Sequence, residues 1–251
     1  MIVHSSAIIF RTVDYSESSK IVTLFTREHG KIAVMVRGVK KPKSKFSGLM
    51  EVGNLLDVVY YYKSSRSVQT LSEASYLEKT FQIRSDVEKM ATLTSAVELM
   101  GQLLHDEEVN LPLFDVAKRF ILWLNDTDES PQQIFPYLQI RLAEITGHGL
   151  QLHLNNSDAG KETPEQQYYF KLETGLISTE SAASYSYRLT QNQFRYVRLA
   201  LEARSSRLFS IKFETGELKD LVDLLDRYFK FHVEGFRNRK SDAIFEQLLQ
   251  E

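Results

Sequence analysis

Residues 20–48 read KIVTLFTREHGKIAVMVRGVKKPKSKFSG. Two short runs in it, Lys20–Thr26 and Lys31–Arg37, are dense in β-branched and apolar side chains, the composition of strands. Between them Glu28-His29-Gly30 is a turn, with Gly30 available for a positive φ. The second run opens into Val36–Gly48, which carries Arg37, Lys40, Lys41, Lys43 and Lys45 and no acidic residue. Gly38 and Pro42 rule out a regular helix or a central strand there. The stretch is therefore an exposed loop that holds like charges together. Those charges repel one another, and a polyanion that binds and releases its counterions relieves the repulsion. The plainer reading is a solvated surface loop.

Working outward, Ile2–Arg11 is a strand ending at the turn cluster Asp14-Tyr15-Ser16. Asn54–Lys63 and Val68–Ala74 are two more, joined by a tight hairpin at Ser64–Ser67. Five short strands in the first eighty residues predict a small closed barrel, because closure removes exposed edges. The OB-fold is the five-stranded barrel of this size that binds single strands. Its third and fourth strands are usually joined by a helix or long loop, where the basic stretch sits. Arg11, Lys20, Arg27, Lys31, Lys63 and Arg66 mark other strand ends, so a groove lined by them would track a phosphate backbone. Phe46, Tyr60, Tyr61 and Tyr62 could stack on bases, Phe46, Tyr60 and Tyr62 being the chosen candidates. Strand alternation nevertheless sends at least one of the three tyrosines into the core.

The totals agree with a cation-rich front and an acidic rear. The net charge of the 251 residues is −2, but residues 1–80 hold 12 Lys+Arg against 7 Asp+Glu, and the remainder 19 against 26. Whole-chain charge hides this asymmetry. The absence of cysteine excludes disulfides, thiol catalysis and cysteine-based zinc sites. It fits a reducing compartment. The start MIVHSSAIIFR is not read as a signal peptide, since no basic start precedes a long apolar run. No apolar run approaches the ~20 residues of a membrane helix.

At Arg11, Tyr15, Glu17, Thr26, Gly30, Lys31, Arg37, Gly38, Ser44 and Phe46 the chain resembles the N-terminal signature of the bacterial RecO family of recombination and repair proteins. The resemblance implies an OB-fold that binds single- and double-stranded DNA and anneals complementary strands. It also implies work in the RecF pathway with RecR, loading RecA onto strands coated by single-strand-binding protein, in the cytoplasm at the nucleoid. On that reading Arg11, Lys20, Arg27, Lys31, Arg37, Lys40, Lys41, Lys43 and Lys45 contact DNA.

From Ser85 the apolar period changes to that of helices: Val87, Met90, Val97, Met100 and Leu104, with Ser85-Asp86 as cap. Leu111–Asn125 is a second helix, and a third runs from Pro131 to about Thr146, closed by Gly147. Their apolar stripes predict burial together as three antiparallel helices. Residues 148–188 read as an irregular insert with a β-hairpin, Tyr168–Leu172 and Leu176–Ser178. Many members of the resembling family carry a four-cysteine zinc module here. This chain departs from that completely, and His148 and His153 alone make a poor metal site. Packing of Tyr168, Phe170, Leu172 and Ile177 must hold the insert instead. Leu189–Ala203 and Glu217–Glu234 are further helices, with His232 on an apolar stripe as a core histidine, and a short final helix follows Ser241 or Asp242. The expected architecture is thus α+β: an OB-fold barrel over 1–80 and a helical domain over 81–251.

Three functions remain in view. A DNA-binding recombination mediator without covalent chemistry fits the clustered cations. The resemblance adds the acidic, Phe-ending tail of single-strand-binding protein, docking on the helical domain. An enzyme would need metal-binding carboxylates, a nucleophile with its base or a phosphate-cradling loop, and no GxxxxGK[ST], HExxH or GxSxG motif occurs; no cofactor or metal is expected. A protein–protein scaffold, with DNA contact secondary, is the alternative.

Overall fold

The computed structural model describes residues 1–129, 131–153, 166–180, 185–202, 205–241, 245, 247 and 249. The chain divides into two compact units, Met1–Thr127 and Asp128–Glu251.

In the first unit, β1 (Ile2–Asp14), β2 (Lys20–Thr26), β3 (Gly30–Val36), β4 (Leu55–Tyr61) and β5 (Val68–Glu78) close into a barrel in the order β1-β2-β3-β5-β4. Neighbouring strands are antiparallel apart from the parallel β3–β5 pair. This is the OB-fold barrel that the sequence predicts. Alternate side chains fill it: Val3, Ala7 and Ile9 from β1, Val22 and Leu24 from β2, Ile32, Val34 and Val36 from β3, and Leu56, Val58 and Tyr60 from β4. A register shift between Ile9 and Arg11 bends β1, as a bulge does. Ile8, Phe10 and Phe25 alternate with the inward residues, yet all three are buried. The Phe25 ring packs between Phe10 and Phe114, at 5.3 Å from each.

Phe114 belongs to one of three helices in this unit: α1 (Phe81–Arg84), α2 (Val87–Leu103) and α3 (Leu111–Asp126). Asp86 caps α2 by accepting from the Glu88 and Lys89 amides, and Asn110 caps α3 by accepting from the Leu113 amide. Residue 80 marks the change from strands to helices, whereas packing separates the units at 127/128.

The second unit holds α4 (Phe135–Ile145), entered through a 3₁₀ turn at Pro131–Ile134, then α5 (Gln191–Leu201) and α6 (Glu217–His232). The grouping of α4 with α2 and α3 expected from their stripes is corrected here: α4 packs with α5 and α6. The expected hairpin is present as β7 (Tyr168–Lys171) and β8 (Leu176–Ser178). It is part of a larger sheet, β6-β8-β7-β9, completed by β6 (Gln151–His153) and β9 (Ser186–Leu189). The helix expected from Leu189 starts instead at Gln191, because Thr190 forms a capping box with Gln193 and leaves Leu189 in a strand. Most of the final helix, and Asp242 as its cap, lie outside the described residues.

Packing of aromatic and apolar side chains holds the small sheet. Tyr168, Phe170, Leu172 and Ile177 are all buried. Tyr168 stacks flat on Phe194 of α5 at 3.4 Å, and Phe170 meets Tyr228 of α6 edge-on at 5.3 Å. His232, read from its stripe as a core histidine, is only partly buried; its Nε2 lies 2.9 Å from the Leu172 carbonyl oxygen.

Candidate nucleic-acid interface

Register decides which cations can act together. At one end of the barrel Asp14 of β1 pairs with Lys20 of β2, which pairs with Val36 of β3. At the other end of the β2–β3 hairpin, Thr26 pairs with Gly30. Six strand residues, about 20 Å, separate the two ends.

The loop of residues 37–53 crosses the first end. Successive turns shape it, through Lys41 N–H to Gly38 O, Ser44 N–H to Lys41 O and Ser47 N–H to Ser44 O. The Lys40 amide ties it to the β1–β2 turn by donating to Ser18 O at 3.2 Å. Phe46, Leu49 and Met50 turn inward and join the barrel core. Asn54 fastens the loop's return, donating to the Gly48 and Leu49 carbonyls while its own Oδ1 accepts from Arg84. With the apolar residues drawn in, Arg37, Lys40, Lys41, Lys43 and Lys45 are left exposed.

Their engagements differ. Lys40 donates to the Asp14 carboxylate at 2.8 Å, and Lys20 lies 4.0 Å from the same group. The Lys40 hydrogen bond holds the Asp14 carboxyl below its ordinary value. Such exposed pairs contribute only about 0–1 kcal/mol, so a phosphate can replace the carboxylate. Lys45 reaches the Ser72 carbonyl at 2.9 Å and lies over the Phe46 ring. Arg11, Arg37, Lys41 and Lys43 are exposed, and among the described residues no hydrogen bond or ion pair holds their side chains. Lys43 adopts a left-handed φ of 60°, a conformation disfavoured for a residue with a Cβ.

Arg27 and Lys31 stand apart, at the opposite end of the hairpin. Arg27 pairs with Asp115 of α3 at 2.7 Å. Lys31 is mostly buried, with its ammonium on the Gly101 and Leu104 carbonyls and 3.3 Å from Asp106. The continuous track expected from the sequence is therefore corrected to a cluster at one end. The partners that claim Arg27 and Lys31 lie far along the chain, on α2, on α3 and in the segment between them.

Two of the expected stacking residues are also corrected. Phe46 is 5% and Tyr60 0% exposed, so neither offers a ring face to a base. Phe46 plugs the barrel end, and Tyr60 occupies an inward strand position with its hydroxyl 2.8 Å from His29 Nδ1. Burial pushes the Tyr60 phenol up to about 12. Tyr62 is half-buried, with one face on the His29 ring at 4.1 Å and its hydroxyl donating to Glu107. Of these three neighbouring tyrosines, Tyr61 is the exposed one, at 50%. Alternation already makes Tyr61 the outward member once Tyr60 is inward, and that was the signal available in the sequence. Lys63 and Arg66, in the exposed turn between β4 and β5, add two further cations. Among the described residues no three His, Asp or Glu side chains gather as metal ligands, and no helix is long and apolar enough to cross a membrane.

Comparison with known proteins follows the same division into barrel and helices. The family model described as Recombination protein O N terminal matches residues 1–80, and Recombination protein O C terminal matches residues 84–242. The DNA repair protein RecO of Pelodictyon phaeoclathratiforme is 31% identical over 261 residues, covering 99% of each chain. That of Chloroherpeton thalassium is 30% identical, covering 99% of this chain and 100% of its own. The Salinibacter ruber protein of the same name is 38% identical over 149 residues, 58% of this chain and 56% of its own. With both models matched and relatives alike from end to end, the chain belongs to the RecO family of recombination proteins.

Proposed function

We propose that this protein is a DNA-binding recombination mediator that gathers strands on the cationic end of its barrel and lets complementary bases pair. Family membership supports the coarser role in DNA repair and recombination. The observation that carries the finer reading is the exposure of Arg37, Lys41 and Lys43 without protein partners among the described residues, beside Lys40 and Lys20, which share one weakly held carboxylate. Two DNA strands repel through their phosphates, and each cation placed between them replaces a condensed counterion. An otherwise acidic chain can thus concentrate positive charge where strands meet. The role needs no covalent step. RecR and the acidic tail of single-strand-binding protein are the proposed protein partners, in loading RecA onto coated strands.

Annealing of two labelled complementary oligonucleotides tests the function. The intact protein should accelerate pairing at low salt, and the acceleration should fade as salt rises. A variant with Arg37, Lys41 and Lys43 all replaced by Glu should lose it while unfolding at the same temperature. Unchanged annealing by that variant would put the DNA surface elsewhere.

A further inference from the structure

Two side chains from outside the basic stretch converge on one of its carbonyls. The Gly48 oxygen accepts from Tyr76 Oη at 2.9 Å and from Asn54 Nδ2 at 3.1 Å. Asn54 Nδ2 also donates to the Leu49 oxygen at 2.7 Å, and Arg84 donates to Asn54 Oδ1 at 2.8 Å. An arginine side chain only donates, so Arg84 fixes which way the Asn54 amide faces. Asn54 is 2% exposed. Without Arg84 its oxygen loses that partner in a place where water hardly reaches, which is costly.

Both supports lead back to α1. Arg84 is its last residue, and Phe81, its first, meets the Tyr76 ring edge-on at 5.4 Å. The helix is itself anchored, with Ile83 buried and the Gln82 amide donating to Asn125 Oδ1 of α3 at 3.1 Å. A short helix outside the barrel thus braces the point where the loop returns to it.

The brace reaches the cations through the backbone. Turns run back from it: Leu49 N–H to Phe46 O, Ser47 N–H to Ser44 O, Ser44 N–H to Lys41 O and Lys41 N–H to Gly38 O. At the far end the Lys40 amide is tied to Ser18 O. Lys41 and Lys43 lie between the two ties, exposed, and among the described residues no hydrogen bond or ion pair holds their side chains. Their placement therefore comes from the backbone that carries them. A loop already held in its binding shape gives up less freedom when a ligand arrives. We propose that Arg84 and Tyr76 are positioning residues for DNA binding, which act through the Gly48 and Leu49 carbonyls to hold Lys41 and Lys43 where phosphates meet them. This rests on the DNA-binding function proposed above and adds residues beyond the loop that set its affinity. Arg84 is itself an exposed cation and Tyr76 is not, so position can be told from charge.

The test measures binding of labelled single-stranded oligothymidylate to the full chain across a salt series, at a temperature where every variant is folded. Arg84→Ala and Tyr76→Phe should each weaken binding about three- to tenfold, the worth of one hydrogen bond. The slope of log affinity against log salt should stay as it was, because no phosphate contact is removed. Amide exchange at Ser44, Ser47 and Leu49 should quicken in both variants. In a protein with Arg37, Lys41 and Lys43 replaced by Ala, adding Arg84→Ala should weaken binding by about twofold or less. A slope lowered by about 0.7 in Arg84→Ala would make Arg84 a phosphate contact and overturn the proposal. The same loss in both backgrounds overturns it too, as does a lower unfolding temperature with unaltered affinity, the mark of a purely structural bond. If the loop Ala variant loses DNA while Arg84→Ala and Tyr76→Phe bind normally, the positioning role is wrong and the DNA function stands. If the unaltered protein binds no DNA, both fall together.

Discussion

Lys31 places its ammonium 2.6 Å from the Leu104 carbonyl oxygen, at the C-terminal end of α2. That helix has no basic residue in its own last turn, so a strand of the barrel supplies the cation that its terminal carbonyls favour. The consequence is mechanical rather than ligand-directed. Lys31→Met should destabilise the first unit by about 1–2 kcal/mol. It should leave the salt dependence of DNA binding intact. Urea unfolding and oligonucleotide titration check the two halves of this expectation.

Asp14 competes with DNA for Lys40 and Lys20. Asp14→Asn releases both cations and removes a negative charge from the cluster. DNA affinity at low salt should rise about three- to tenfold, with the gain shrinking as salt screens it. Titration of a labelled single strand across ionic strength measures this, and a loss of affinity would mean that Asp14 positions the cations instead.

Gly30 cannot take a side chain. Its φ is +63°, and a Cβ there would lie 1.9 Å from the Glu108 carbonyl oxygen, a backbone atom that cannot swing away. The adjacent Glu107 amide donates to Lys31 O at 2.9 Å, which fixes that approach. Gly30→Ala should therefore cost about 3 kcal/mol or more, combining left-handed strain with a forced shift of backbone. Thermal unfolding reads it directly.

The barrel was legible in the sequence because its signals are local. β-branched runs, Gly30 and the Ser64–Ser67 break each announce themselves within a few residues, and the basic loop is contiguous. What escaped was set by distance or by parity. Arg27 and Lys31 resemble the loop cations in sequence, but Asp115 and Leu104 claim them from 88 and 73 residues away. Among Tyr60, Tyr61 and Tyr62, composition is silent, and the inward member is fixed by a register that only the paired strands reveal. Phe46 sits among lysines yet plugs the barrel, since a loop crossing an open core end surrenders its apolar residue. In the second unit β7 and β8 are joined by the local Glu173-Thr174-Gly175 turn, whereas β6 and β9 pair with them without such a turn to announce it, so the hairpin is legible in the sequence and the rest of its sheet is not.

The alkaline limit of the fold should involve Tyr60. Burial raises its phenol from 10.0 to about 12. Below pH 10 the group is neutral whether the chain is folded or not, and its full contribution to stability is present. Between 10 and 12 the unfolded chain ionises first, so stability falls as pH climbs through the folded value. Burial also raises the phenols of Tyr62, Tyr196 and Tyr228, so unfolding temperatures measured across that window should drop, and Tyr60→Phe should make the drop in the first unit shallower without abolishing it. The same drop in the Phe variant would assign it to other groups.

The central claim is that free cations on the loop of residues 37–53 neutralise DNA phosphates. The most direct test is the slope of log affinity against log salt for a single strand, with and without Arg37, Lys41 and Lys43. Each phosphate contact contributes about 0.7 to that slope. Replacing all three by Ala should therefore lower the slope by about 2 while weakening binding at low salt. An unchanged slope and affinity in a folded triple variant would contradict the account.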